Sequence, residues 1–159
     1  MEIDELFGLP AHPLVVHAAV VLLPLAALAT LLCAALPRAR RHYAPIALGV
    51  ALVATIAVGL AQGSGEALEE KVDETGLVEE HTEKGEQVLP WAIAVTVAAA
   101  VTALPLLERR RPTLPTRALT AAVVALSLVV GVGATWSVVE VGHSGAKATW
   151  DDVGSAPGG

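Results

Sequence analysis

Five histidines, His12, His17, His42, His81 and His143, are the side chains of this chain best suited to chemistry. Imidazole titrates in the physiological range and is the commonest metal ligand and a usual axial ligand of haem iron. His12 and His17 stand five apart, with Pro13 directly after His12. Five is not a same-face helical spacing, so Pro13 must turn the chain for both to reach one ion. Glu140 and His143 stand three apart, which puts a carboxylate and an imidazole on one helix face, the spacing used by metal sites in bundles. His81 lies in Glu79-Glu80-His81-Thr82-Glu83 and is placed to complete such a cluster from above. The candidate cofactor ligands are therefore His12, His17, His81 and His143, with Glu140 added for a metal ion. Next to Tyr43 and a run of arginines, His42 reads as part of a basic rim.

Hydrophobic blocks supply the elements that must position these groups. Of 159 residues 54% are hydrophobic, mean hydropathy is +0.63, and the apolar residues fall in long runs. About 20 apolar residues in a helix cross a hydrocarbon core. Four segments qualify, about 14–36, 44–61, 88–107 and 118–139, and none carries Lys, Arg, Asp or Glu. The expected fold is all-α, a single membrane domain over 1–159 built as a four-helix transmembrane bundle. His17 then sits about one turn inside the first span, where an ionisable group calls for a partner. The acidic flank of Glu2, Asp4 and Glu5, together with the length of the first span, argues for a retained span over a secretory signal.

Charge segregation predicts the orientation. Arg38, Arg40 and Arg41 lie between spans one and two, and Arg109, Arg110, Arg111 and Arg117 between three and four. Under the positive-inside rule these face the cytoplasm. The segment 62–87 holds nine acids against Lys71 and Lys84 and belongs outside, with both termini. His12, His17, His81 and His143 thus map to the extracytoplasmic face, as do Trp91, Trp136 and Trp150 at headgroup depth. The acidic segment reads as a short helical hairpin between helices two and three: Ser64 caps a run to about Thr75, Gly76 breaks it, and a second run starts at Leu77. Gly59 and Gly63, four apart, predict close backbone approach in span two. Cys33, the one cysteine, allows no internal disulfide and reads as a packing residue.

The stretch Gly8-Leu9-Pro10-Ala11-His12-Pro13-Leu14-Val15-Val16-His17, followed by an aliphatic span with Pro24, resembles the opening of the bacterial membrane proteins of domain-of-unknown-function family 2231. The outer histidine and Gly142-His143 near the end of the fourth span are similar to marks of that family, although Ala18-Ala19 stand where many members have Phe-Pro. The resemblance implies a four-helix protein of the bacterial cytoplasmic membrane, with a histidine pattern similar to that of redox proteins holding haem b between helices.

Two functional readings follow. In the first, the outer histidines bind haem b or a transition metal ion, with Glu140, Glu80 and Glu83 available to orient imidazoles. Any haem is noncovalent, since Cys-x-x-Cys-His is absent. In the second, a cofactor-free bundle is a structural or interaction subunit that packs against a membrane protein partner or a further copy of itself and meets a soluble partner through the acidic segment. Neither reading names a reaction. Transport is disfavoured by spans without charge at the midplane, and hydrolysis by the lack of a nucleophile elbow. An acidic outer surface argues against nucleic acid as a partner.

Overall fold

The computed structural model describes residues 5–6, 9–69, 72, 75–107 and 117–154, with side chains described for 12–69, 72, 75–103 and 117–150. Five helices carry the fold: α1 (Ala11–Ala35), α2 (Pro37–Glu69), α3 (Gly76–Glu86), α4 (Val88–Leu107) and α5 (Arg117–Gly154). Four stretches, His12–Ala35, Pro37–Glu69, Gly76–Ala103 and Arg117–Trp150, are long and apolar enough to cross a membrane. Ahead of α1 a two-residue antiparallel ladder, β1 (Glu5–Leu6) with β2 (Leu9–Pro10), folds the chain back on itself.

Each spanning helix turns its small residues inward and its large ones outward. The buried positions of α2 are Ala44, Ala47, Ala51, Ala54, Ala57 and Val58, which recur every three or four residues and so form one face. The outward face carries Ile46, Val53 and Ile56. Along α1 the same division sets Ala19, Leu23, Ala26 and Ala27 inside against Val21, Leu25, Leu28 and Leu32 outside. Lipid tails are as apolar as leucine, so packing drives helix association in a bilayer, and small inward residues let backbones approach. Thr55 strengthens the seam between α2 and α4, pairing with Thr96 Oγ1 at 2.8 Å and lying 3.1 Å from the Ala92 carbonyl.

Only Leu36 separates α1 from α2, so Arg38, Arg40 and Arg41 lie in the first turns of a helix and not in an irregular linker. Pro37 suits that start, because the first helical position needs no N–H donor. Arg40 reaches back to cap α1, donating from Nε to the Cys33 carbonyl at 3.1 Å and from Nη2 to that of Ala34 at 2.6 Å. Cys33 itself is buried among Ala44, Ala47 and Ala103.

Two local expectations give way. Ser64 caps nothing: α2 runs through it to Glu69, and its hydroxyl donates back to the Ala61 carbonyl at 3.0 Å. The actual cap is Thr75, which accepts from the Val78 N–H and starts α3 at Gly76. Gly59 and Gly63 do not mediate close approach, since a Cβ at either would meet nothing within 4 Å. They lie on the exposed side of α2, whereas a Cβ at Gly133 of α5 would fall 2.4 Å from the Trp91 ring of α4.

Candidate functional site

The start of α1, the end of α2, all of α3, the start of α4 and the end of α5 meet at one end of the bundle, around a cavity of about 770 Å³. Its lower wall is apolar, with Val16, Val58, Val88, Val138 and Val141, and α3 lies across it. His12, His17 and His81 all line it, as do the carboxylate residues Glu66, Glu69 and Glu86. The size falls in the range of ordinary ligand and cofactor pockets.

Two of the imidazoles are held in the same manner. His12, in the first turn of α1, has Nδ1 3.1 Å from the Ala61 carbonyl and 3.1 Å from Ser64 Oγ, both on α2. His81, on α3, has Nδ1 3.1 Å from Ser144 Oγ on α5. Each ring also lies against the glycine that follows its serine. A Cβ at Gly65 would stand 3.1 Å from His12 Cε1, and one at Gly145 would stand 2.9 Å from His81 Cε1. A Cβ at 145 would force the His81 ring to shift, and one at 65 would press on the His12 ring by a few tenths of an ångström.

These contacts set the tautomers. A carbonyl oxygen only accepts, so His12 must donate from Nδ1 to Ala61. Ser144 Oγ stands 3.0 Å from the Val141 carbonyl and 3.1 Å from His81 Nδ1; with its proton on Val141, as that of Ser64 is on Ala61, Oγ accepts from a His81 Nδ1–H. His17 likewise donates from Nδ1 to the Pro13 carbonyl one turn back. In the neutral state His12 and His17 therefore keep an unprotonated Nε2, the lone pair a metal or haem iron would take, and His81 presents the same nitrogen when Ser144 donates to Val141.

Of the histidines expected to converge, His143 lies outside this cavity, exposed on α5. Adjacent helical positions are rotated by about 100°, so Ser144 facing inward turns His143 away. Glu140, one turn before it, lies near Lys84 of α3 and also outside the cavity lining. Lys84 donates to Glu80 at 2.6 Å, a hydrogen bond and ion pair that hold the Glu80 carboxyl below its ordinary range. Among the described residues no three His, Cys, Asp or Glu side chains form a group able to hold a metal ion by themselves. Sequence reasoning missed the supporting residues Ser64, Gly65, Ser144 and Gly145. The available signal was the Ser-Gly pair near the end of both α2 and α5.

Compared with known proteins, the chain matches the family model described as predicted membrane protein (DUF2231) over residues 8–156. No curated protein and no solved structure matches it.

Proposed function

The chain belongs to this family of predicted membrane proteins, and on that premise we propose that it binds haem b noncovalently between His12 and His81, as a redox protein of the bacterial cytoplasmic membrane. The observation that carries this reading is the pair of imidazoles lining one largely apolar cavity, each with Nδ1 held 3.1 Å from an oxygen of a neighbouring helix. One or two side chains suffice to hold haem iron, and His12 and His81 would do so here, whereas a protein-only transition-metal site asks for three or four. Bound there, haem would supply one-electron chemistry. The protein's part is to orient two imidazoles and to keep the apolar wall dry.

A transition metal ion is the second reading, and one observation favours it. Glu66, Glu69 and Glu86 line the cavity, and no Lys or Arg stands among its described lining residues, so its field prefers a cation. His17, with Nε2 also free, and the more distant His143 and Glu140 remain candidate further ligands for that ion. Titration of detergent-purified protein with haem and, separately, with copper, nickel and zinc salts divides the readings. Haem uptake at one per chain with a low-spin spectrum supports the first. Stoichiometric metal uptake without haem uptake supports the second, and uptake of neither sinks both. In that last case the cofactor-free reading gains, and the acidic segment becomes the place to seek a membrane protein partner or homo-oligomer.

We further propose that the histidine end is extracytoplasmic, with both termini on that side, because Arg38, Arg40, Arg41 and Arg117 lie at the opposite end of the spans and Arg109, Arg110 and Arg111 fall in sequence between α4 and α5. In a Cys33→Ala background, an impermeant maleimide applied to intact cells should label Ser155→Cys and spare His42→Cys. The reverse labelling would invert the orientation and place the site toward the cytoplasm.

A further inference from the structure

The two histidine cradles correspond element by element. In the first half a histidine (His12) opens a span, α1; Leu36 alone joins it to a longer helix, α2, whose first turns carry Arg38, Arg40 and Arg41; and that helix receives the imidazole on Ser64-Gly65. In the second half His81 precedes α4, the connection carries Arg109, Arg110 and Arg111, and the longer helix α5 receives the imidazole on Ser144-Gly145. The sequence separations from histidine to serine are 52 and 63 residues, so no local turn produces the likeness. Both serines also return their proton to the carbonyl three residues back. His17 and His143 have no counterparts in this correspondence: position 63, which precedes the first serine, is glycine.

We propose that the chain is an internally duplicated clamp. Each half seats one imidazole on a Ser-Gly pair of its own second helix, making His12 and His81 a matched ligand pair with Ser64 and Ser144 as their positioning residues. This deepens the ligand assignment above and rests on that reading for the identity of what is clamped. It implies a ligand that takes one imidazole from each half, across the seam between them, and not a cluster gathered on one helix. The serine accepts the Nδ1 proton and the glycine leaves space for the ring, so Nε2 is the nitrogen each half presents. The halves differ in one respect. His12 has a second acceptor in the Ala61 carbonyl, which makes Ser64 the less critical of the two serines.

The clamp is tested without any cofactor. Full-length protein labelled with nitrogen-15 histidine, in detergent at about pH 8.5 where unperturbed imidazoles are neutral, reports the tautomer of each ring. Wild type should show His12 and His81 as Nδ1–H. Ser144→Ala should abolish that state for His81 alone, Ser144→Thr should restore it, and Ser64→Ala should leave His12 as Nδ1–H through Ala61. Ligand affinity should fall by about 10- to 100-fold in Ser144→Ala, the usual effect of losing a ligand's supporting hydrogen bond. An Nε2–H tautomer for His81 in wild type, or no response to Ser144→Ala, overturns the clamp even if haem binds. The expected tautomers in a protein that takes up neither haem nor metal leave the clamp standing and remove the cofactor reading instead.

Discussion

If haem binds as proposed, His12→Ala and His81→Ala should each abolish stoichiometric haem uptake, whereas His143→Ala should leave affinity within about twofold of wild type, as an exposed substitution away from the site should. The losses should exceed the about 10- to 100-fold expected from removing a supporting partner, because each variant would remove an imidazole that holds the group. The contrast is informative because sequence alone ranks His143 beside the others, through its spacing from Glu140. If His143→Ala eliminates binding while His81→Ala does not, the cavity is the wrong site. Protein that unfolds on His81 replacement would confuse the result, so helical content is measured in parallel. His81→Gln retains much of the bulk and should lose haem as fully as the alanine variant.

The second large effect lies in the seam that holds α5 in place. Gly133→Ala sets a methyl where the Trp91 ring now lies, 2.4 Å from two of its carbons, closer than any real Cβ contact. The half-buried Trp91 ring must turn aside, giving up its packing against α5, or α4 and α5 must part. The expected cost is about 1–3 kcal/mol, the usual range for overpacking a filled core. Unfolding by denaturing detergent measures it. Trp91→Ala should suppress most of that cost when combined with Gly133→Ala, because the double variant removes the clash. Additive losses would mean that the two residues do not meet. Val138 and Val141 line the cavity on the same helix, so Gly133→Ala should also weaken ligand binding.

The spans and the arginine end were legible because both follow from composition over long windows: a bilayer demands about 20 apolar residues, and no charge interrupts these four runs. Topology alone assigned four of the five histidines to one end of the spans, and the cavity there is lined by three of them, His12, His17 and His81. What could not be read was which of them share a wall. His12 meets Ser64 across 52 residues and His81 meets Ser144 across 63, contacts fixed by the rotation of long helices about their axes. A rotation of one residue would exchange Ser144 for His143 at the cavity, and nothing in an all-apolar span sets that rotation at the level of pattern. Ser64 misled for a different reason. Serine between glycines reads as a helix cap, yet a serine that returns its proton to the preceding turn sits comfortably inside a helix. Gly59 and Gly63 showed the same limit, since four-residue spacing identifies a face without saying what packs on it.

The most direct test of the account is the optical and paramagnetic resonance spectrum of detergent-purified wild-type protein supplied with one equivalent of haem. The account predicts a six-coordinate, low-spin iron with two imidazole ligands, lost in both His12→Ala and His81→Ala. A folded protein that leaves haem unbound, or binds it with the same spectrum in the absence of both histidines, would contradict it.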